Sequence, residues 1–382
     1  MNPSLYIHIP LCRSKCDYCD FFSIPVSETD DSAALQARVT DALICEISLR
    51  KKETGSQAWG TLYIGGGTPS LLSAGNLARL VRSAFPVSGE ATIEANPGDV
   101  SAQWIEAAAA AGINRLSLGI QSLSDTVLAA SGRRGSRAES LKALDLIHKH
   151  WAGDVSVDLI AGLPGQNTKN LEEDIDRLLS FQPEHISLYT LTVEDGTPLS
   201  RRLAEAGAGE ALIPDQDEAA RIWEHGRNCL IASGYRHYEI SNFALPGKES
   251  QHNLVYWNLE SYAGAGPGAT GTLVSGDHAL RYTNRRDIEA YIKAPGAAID
   301  TETIGRRVFM IETLMMGTRL LEGLNRKRFQ SRFNQDILEL IEATARRWEN
   351  RGLLLIDENR LALTPTGILF HNRFLEECLE EI

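Results

Sequence analysis

Short apolar runs rich in β-branched residues alternate, along the first half of the chain, with longer segments whose apolar positions recur at helical spacing. The short runs are typical of buried strands, and the longer segments are typical of helices that pack one face on a sheet. The predicted strands cover residues 5–9, 61–64, 91–94, 115–118, 155–159 and 185–189. The predicted helices between them cover residues 31–50, 74–85, 102–111 and 137–150. This alternation predicts a parallel sheet with right-handed crossover connections.

The number of strand–helix units favours one α/β architecture. Six units predict an incomplete (β/α)6 TIM-like barrel, with an open doubly wound sheet as the alternative. In both architectures functional side chains gather at the carboxyl ends of the strands. The residues of unusual type at these ends are Cys12, Cys16, Cys19, the run Gly65-Gly66-Gly67-Thr68, Glu94, Gln121 and Asp158. Because they follow five successive strands, they predict a single site.

The periodicity loosens after residue 191. A helix is predicted over residues 215–233, and the glycine-rich segment 263–275 is predicted to be looped. Pro295-Gly296 marks a boundary, so we predict one domain over residues 1–295 and a second over residues 296–382. The helices and the hairpin predicted in the second domain cover residues 307–317, 325–333, 335–351, 353–363 (the hairpin) and 365–379. This order predicts a small winged-helix-like domain, and its acidic end argues against DNA binding.

The charge balance excludes several classes of protein. Lys and Arg number 38 against 50 Asp and Glu, which gives a net charge of −12. Nucleic acid and anionic lipid both require a basic surface, so neither is an expected partner. No run of the chain approaches the roughly 18 apolar residues of a membrane span. Because no basic residue precedes the apolar N-terminal run, a secretory signal is not expected, and we predict a cytoplasmic protein.

Six cysteines occur, and three of them lie within eight residues near the start of the chain. This distribution differs from a secreted disulfide framework, in which paired cysteines spread along a short chain. Cys45, Cys229 and Cys378 are isolated and are predicted to be small buried hydrophobic residues without chemistry.

The clustered cysteines have the spacing Cys12-x3-Cys16-x2-Cys19 and offer three thiolates from one loop. An iron–sulfur cluster of four irons takes four ligands, so three protein thiolates leave one iron open to another ligand. The alternative is a structural Cys3His zinc site with His8 or another histidine as the fourth ligand. Against zinc, the usual pairs of ligands well separated along the chain are missing here.

The cysteine motif, followed by Gly-Gly-Gly-Thr-Pro after the second strand, resembles the radical S-adenosylmethionine superfamily. Within it, the segments at residues 6–12 (YIHIPLC) and 16–21 (CDYCDF) resemble the group around oxygen-independent coproporphyrinogen III oxidase. The resemblance implies that Cys12, Cys16 and Cys19 bind a 4Fe-4S cluster whose open iron is chelated by S-adenosylmethionine. Reduction of such a cluster would cleave the cofactor to a 5′-deoxyadenosyl radical, and an electron donor is implied as a partner.

The resemblance also implies a set of cofactor contacts. The matching positions are Tyr6, Tyr18, Gly66, Gly67, Thr68, Glu94, Gln121, Arg133 and Asp158. A glycine loop allows backbone groups to approach a ligand closely, although three glycines are also common in a plain strand–helix turn. The tyrosines are equally suited to the core, and the polar residues could be satisfied strand-end groups. Arg134 follows Arg133, so the motif leaves open which arginine reaches the site.

Two features separate the sequence from the oxidase and resemble the sister family of radical-SAM heme chaperones. Phe21 stands where the oxidase carries a fourth cysteine, and the first strand begins close to the N-terminus. The segment at residues 252–257 (HNLVYW) is similar to the chaperone family's heme motif, which implies His252 as a heme ligand. The function implied is delivery of heme to an acceptor protein. The alternatives are the oxidase reaction and a cluster protein with another radical substrate, so whether the chain is an enzyme stays open.

Overall fold

One sheet of twelve strands and a second sheet of three strands organise the protein. The computed structural model describes residues 2–27, 30–206, 212–297 and 299–382. The strands are β1 (Ser4–Ile9), β2 (Leu11–Cys12), β3 (Ile24–Pro25), β4 (Leu62–Gly66), β5 (Ala91–Ala95), β6 (Arg115–Gln121), β7 (Asp154–Ala161), β8 (His185–Thr190), β9 (Arg236–Glu239), β10 (Asn242–Ala244), β11 (Tyr262–Ala265), β12 (Thr270–Ser275), β13 (His278–Asn284), β14 (Ile299–Ile304), β15 (Leu324–Asn325), β16 (Leu354–Ile356) and β17 (Arg360–Leu363).

Helices follow most of the parallel strands, and several more fill the C-terminal part. They are α1 (Asp30–Thr54), α2 (Ala74–Ala84), α3 (Ala102–Ala111), α4 (Asp125–Ala130), α5 (Arg137–His150), α6 (Thr168–Leu179), α7 (Pro198–Glu205), α8 (Gln216–Ala232), α9 (Gln251–Trp257), α10 (Ile288–Lys293), α11 (Arg306–Gly317), α12 (Arg326–Phe333), α13 (Ile337–Leu340), α14 (Glu342–Asn350) and α15 (His371–Leu379). Among the residues that the structure describes, no helix has the length and apolar character needed to cross a membrane.

The strand order confirms the incomplete barrel. The large sheet runs β14-β13-β12-β11-β1-β4-β5-β6-β7-β8-β10-β9, and all seven strands from β11 to β8 are parallel. The six predicted strands lie side by side in chain order, without the reversal that defines a doubly wound sheet. The sheet is open, because β14 and β9 form its two edges.

Alternation along β1 shows how the sequence determines the two faces of the sheet. Leu5, Ile7 and Ile9 are fully buried and belong to the main apolar core under the helices. Tyr6 and His8 point to the opposite face, because successive side chains of a strand alternate. The polar side chains therefore collect on the inner face of the barrel, where a ligand can reach them.

The prediction of a loop over residues 263–275 was wrong. Its glycines lie in or beside β11 and β12, where they allow backbones and rings to approach closely. A Cβ on Gly264 would lie 2.2 Å from the carbonyl oxygen of Thr270, and one on Gly271 would lie 2.4 Å from the Tyr282 ring. Here glycine serves close packing within a sheet rather than a turn.

The C-terminal segment forms a helical unit with the small sheet β15-β17-β16. The helix predicted over residues 335–351 is interrupted at Ile341, and the last one begins as a 3-10 turn over Gly367–Phe370. The apolar core of this unit also includes Leu259 and Ala279, which precede the predicted boundary. The division at residues 295 and 296 stays a prediction.

The three isolated cysteines differ in exposure. Cys378 is buried as predicted, and Cys229 is half-buried. The prediction for Cys45 was wrong, because this thiol is exposed on α1 while its neighbours Leu43 and Ile47 are turned into the core.

Candidate functional site

A cavity of about 640 Å³ opens at the carboxyl ends of the parallel strands. Thirteen residues were predicted for the site, and ten of them line this cavity: Cys12, Cys16, Cys19, Gly66, Gly67, Thr68, Glu94, Gln121, Arg133 and Asp158. Tyr6, Tyr18 and His252 lie outside this lining. The structure thus brings most of the predicted residues together, as expected from strand ends that meet at one edge.

Two neighbouring helices hold the cysteine loop in place. The N–H of Asp17 donates to the Ser131 carbonyl at the end of α4 (3.2 Å), and the N–H of Leu199 in α7 donates to the Asp17 carbonyl (2.8 Å). The Asp17 carboxylate also forms an ion pair with Arg202 of α7. Within the loop, the N–H of Cys19 donates to the Cys16 carbonyl (3.1 Å). The loop is therefore fixed from outside the cavity that its thiols line.

Two of the thiols receive hydrogen bonds from cavity residues. The hydroxyl of Thr68 donates to the Cys12 sulfur (3.3 Å), and Nη1 of Arg133 donates to the Cys16 sulfur (3.6 Å). Arg134 is exposed at the cavity mouth, so Arg133 is the arginine that contacts the cysteines. Burial raises the pKa of the Cys19 thiol. Donors directed at sulfur stabilise thiolates, which are the form that binds iron.

The zinc alternative finds no support in the position of His8. Both ring nitrogens are engaged, Nδ1 with the Tyr6 hydroxyl (3.0 Å) and Nε2 with the Phe22 carbonyl (2.7 Å). In the ranges that the structure describes, no three Cys, His, Asp or Glu side chains converge as ligands of one ion. A four-iron cluster differs from a single ion, because each thiolate binds a different iron. The donor set therefore fits the cluster better than it fits zinc.

The three glycines at the end of β4, Gly65 to Gly67, are required by packing as well as by any ligand. Gly66 has a φ of +109°, and a Cβ there would lie 2.7 Å from the His8 ring. A Cβ on Gly67 would lie 2.5 Å from the Leu11 carbonyl oxygen, and one on Gly65 would lie 2.9 Å from the Glu94 carboxylate. The glycines thus allow this segment to pack closely against the end of β1, immediately before the cysteines.

Glu94 is a carboxyl group of the cavity wall whose protonation is altered by its surroundings. Its oxygens accept hydrogen bonds from the Tyr63 hydroxyl (2.8 Å) and the Gly66 N–H (3.2 Å). Burial, and secondarily the negative charge of Asp158, raises the pKa of Glu94 to about 7. Burial also raises the pKa of Asp158, which accepts from the Ser117 hydroxyl (3.1 Å). Glu94 and Asp158 are half-buried carboxyl groups whose charged forms are disfavoured, so together they form a natural site for a cationic ligand.

Gln121 occupies an irregular position at the end of β6. The register of β6 against β7 shifts between Gly119 and Gln121, and Gln121 has a φ of +69°. Its side-chain oxygen is buried and has no hydrogen-bond partner in the described part of the chain. A strained residue with an unpaired acceptor at a cavity wall indicates a place where a ligand donor binds.

Tyr6 and Tyr18 have the character of core residues. Tyr6 stacks on Tyr63, with ring centroids 6.3 Å apart, and contacts His8 through its hydroxyl. Tyr18 packs against a small apolar cluster that includes Val127 and Leu163. Burial raises the pKa of both phenols. Their role as cofactor contacts stays a prediction.

His252 lies at the opposite end of the barrel from the cysteines. It belongs to α9, whose first N–H groups at Gln251 and His252 donate to the carboxylate of Glu90, ahead of β5 (3.1 and 3.3 Å). The ring of His252 is fully buried and engages Thr61 (2.7 Å) and Tyr256 (2.8 Å) through its two nitrogens. Burial lowers its pKa to about 3, so the ring is neutral. Heme ligation by His252 stays a prediction that requires one of these bonds to break.

Sequence reasoning missed Asn96, which lines the cavity and connects several predicted residues. Its Nδ2 donates to Thr68 Oγ1 (3.2 Å), and its Oδ1 accepts from Arg133 Nη2 (3.1 Å). The available signal was its place two residues after Glu94, at the carboxyl end of a strand and directly before Pro97.

Comparison with known proteins agrees with this geometry. Residues 6–178 match the profile of the Radical SAM superfamily, and residues 305–370 match that of the HemN C-terminal domain. The chain is 32% identical to the heme chaperone HemW of Lactococcus lactis, over 98% of this chain and 97% of that protein. It is 34% identical to HemW of Escherichia coli, over 99% and 98%. A solved structure of coproporphyrinogen III oxidase HemN from E. coli has a TM-score of 0.82 at 20% identity, covering 99% of this chain and 90% of that one, which shows a shared fold.

The open barrel with three cysteines at its carboxyl edge, together with the profile matches, defines a protein of the radical S-adenosylmethionine superfamily. Several relatives above 30% identity extend over nearly the whole chain and share one name. The chain belongs to the family of the heme chaperone HemW.

Proposed function

We propose that this protein is a heme chaperone that binds a 4Fe-4S cluster, S-adenosylmethionine and heme, and passes heme to an acceptor protein. The near full-length similarity to proteins named heme chaperone HemW carries the proposal. The cavity supports the two cofactors, because it combines three thiols with half-buried carboxyl groups and an amide oxygen that has no partner within the described residues. Its partners would be heme, a heme acceptor and an electron donor.

Different residues of this chain would bind the cluster and S-adenosylmethionine. Cys12, Cys16 and Cys19 would bind three irons, and Arg133 would lower the cost of placing negative sulfur ligands in the cavity. Glu94 would take the cationic part of S-adenosylmethionine, and Gln121 would accept a hydrogen bond from it. When bound and reduced, the cluster supplies the electron that breaks a carbon–sulfur bond of the cofactor.

We also propose that the protein acts in the cytoplasm. All six cysteines are free thiols, as expected in a compartment that keeps thiols reduced. A cluster with one iron open to solvent is sensitive to oxygen. Its cysteines must also remain reduced until the cluster is assembled on them, and both requirements favour a reducing compartment.

Incubation with coproporphyrinogen III distinguishes the chaperone from the oxidase. Cluster-reconstituted protein is given this substrate, S-adenosylmethionine and dithionite without oxygen, and the porphyrins are separated by chromatography. We expect no protoporphyrinogen IX beyond the level in a reaction without protein. A family oxidase assayed in parallel shows that the conditions support the reaction. Turnover by this protein would contradict the chaperone proposal.

Heme titration tests the assignment of His252. The change His252→Ala is expected to weaken heme binding by at least roughly tenfold, because it removes an axial nitrogen ligand. His150→Ala is the matched control, since that histidine is exposed at the end of α5. Absorbance spectra give the isotherms, and a thermal melt confirms that the variant is folded. Identical isotherms for wild type and His252→Ala would remove His252 as a ligand.

A further inference from the structure

A chain of three hydrogen bonds crosses the wall of the cavity and ends on a cysteine sulfur. Arg133 Nη2 donates to Asn96 Oδ1 (3.1 Å), Asn96 Nδ2 donates to Thr68 Oγ1 (3.2 Å), and Thr68 Oγ1 donates to the Cys12 sulfur (3.3 Å). The same guanidinium donates through Nη1 to the Cys16 sulfur (3.6 Å). One cation therefore faces two of the three cysteines, directly at one and through two side chains at the other.

The direction of this chain follows from the chemistry of its members. A guanidinium has only donors, so the amide of Asn96 must present its oxygen to Arg133 and its NH2 group to Thr68. Thr68 Oγ1 then acts as acceptor toward Asn96, which leaves its hydrogen for the sulfur. Hydrogen bonds that point the same way polarise one another, so the positive charge of Arg133 strengthens the donor that reaches Cys12.

Backbone contacts hold both intermediate residues in place. The N–H of Thr68 donates to the Leu11 carbonyl (2.7 Å), next to the cysteine loop. The N–H of Asn96 donates to the Ser70 hydroxyl (3.1 Å), which in turn donates to Asp99 (3.1 Å). Thr68 is almost completely buried, so water does not compete freely for its hydroxyl.

We propose that Asn96 is a positioning residue that connects Arg133 through Thr68 to the Cys12 sulfur and thereby raises the reduction potential of the cluster. The inference rests on the proposed function, because it needs a cluster on the three cysteines. Reduction adds negative charge to the cluster and its sulfur ligands, and donors aimed at sulfur stabilise that added charge. Asn96 would contact neither the cluster nor the cofactor in this role.

The change Thr68→Val tests the last bond of the chain. It replaces the hydroxyl by a methyl group of similar size, and it is expected to lower the midpoint potential of the cluster. An anaerobic redox titration with dithionite, followed by electron paramagnetic resonance, measures this potential. A tenfold fall in the ratio of reduced to oxidised cluster at fixed solution potential corresponds to about 59 mV. Thr68→Ser, which keeps the hydroxyl, is expected to restore the wild-type value.

Thr92→Val is the matched control. Thr92 faces the interior from β5, and its hydroxyl is buried without a hydrogen-bond partner in the part of the chain that the structure describes. The same replacement there removes a hydroxyl from the barrel without touching the chain of bonds. We expect the midpoint potential to stay at the wild-type value.

A double-mutant cycle isolates the contribution of Asn96. Asn96→Leu is expected to lower the midpoint potential, and to do so by less when it is combined with Thr68→Val, because the route to Cys12 is then already broken. The change in midpoint potential that Asn96→Leu still causes in the Thr68→Val variant reports the orientation of Arg133 toward Cys16. If Asn96→Leu does not retain iron, Asn96→Ser takes its place in the cycle.

The outcomes separate this inference from the proposed function. Absence of any cluster in the wild-type protein would overturn both. A normal cluster whose midpoint potential does not respond to Thr68→Val would overturn the inference alone. Equal shifts for Asn96→Leu in the wild-type protein and in the Thr68→Val variant would also overturn it, because Asn96 would then act without the Thr68 hydroxyl.

Discussion

Each of the single changes Cys12→Ala, Cys16→Ala and Cys19→Ala is expected to abolish the iron–sulfur absorbance near roughly 400 nm. The three thiols lie on one short segment that follows β1 and is tied to α7 through Asp17, so neither of the remaining two can move to replace a lost ligand. Iron in anaerobically reconstituted protein should fall from about four atoms per chain to about zero, together with an equal amount of sulfide.

The exposed Cys45 provides the matched control for this loss. Cys45→Ala removes a thiol from the outer side of α1, so iron, sulfide and absorbance should stay at wild-type values. Far-ultraviolet circular dichroism should be unchanged in all four variants, because the cysteine side chains of the loop are only partly buried. Retention of a full cluster by any of the three loop variants, or one zinc per chain in place of iron, would refute the assignment.

The sequence allowed the barrel to be predicted because its strands are short runs rich in apolar and β-branched residues that alternate with segments of helical periodicity. It also allowed ten residues of the cavity lining to be predicted, since side chains such as Glu94, Gln121 and Asp158 needed only to be placed at strand ends. Both inferences depend on local pattern and on one general rule about parallel sheets. Neither requires knowledge of side-chain contacts.

What could not be predicted depends on contacts between distant parts of the chain. The glycines of β11 and β12 are strand residues only because Thr270 and Tyr282 pack against them. His252 was predicted from a motif, but its hydrogen bond to Thr61 at the far end of the barrel depends on the tertiary fold of the whole chain. Asn96 carries no motif, and its importance is visible only in the bonds to Thr68 and Arg133.

The affinity for S-adenosylmethionine is expected to rise about tenfold between pH 6 and pH 8. The cofactor carries a permanently charged sulfonium group, so it binds best when Glu94 is ionised. Because the pKa of Glu94 is about 7 before binding, most of this carboxyl is protonated at pH 6 and most of it is ionised at pH 8. Anaerobic equilibrium dialysis of the cluster-loaded protein across this range measures the effect.

The change Glu94→Gln should flatten this pH profile. At pH 8 it should also weaken binding by about 10- to 100-fold, since a hydrogen bond to a charged group becomes one to a neutral amide. Glu106→Gln, on the exposed side of α3, controls for the loss of one negative charge and should leave both the affinity and its pH dependence intact. A pH dependence that persists in Glu94→Gln would assign the titration to another group, with Asp158 the nearest candidate.

The same substitution should affect folding in the opposite direction when no cofactor is present. A carboxyl group whose pKa is raised by folding destabilises the native state as pH increases from its unfolded value near 4.5 to its folded value near 7. Above pH 7 the ionised Glu94 lowers the free energy of unfolding by its full amount, on the order of 3 kcal/mol. The change Glu94→Gln removes this destabilisation. Urea unfolding of the cofactor-free protein should therefore show that the variant is more stable at pH 8. The increase should be smaller than this amount, because the amide keeps only part of the hydrogen bonding to Tyr63 and Gly66. At pH 4 the variant should have no advantage in stability. Weaker cofactor binding together with a more stable cofactor-free protein would show that Glu94 is kept in the cavity for its ligand, at the expense of the fold.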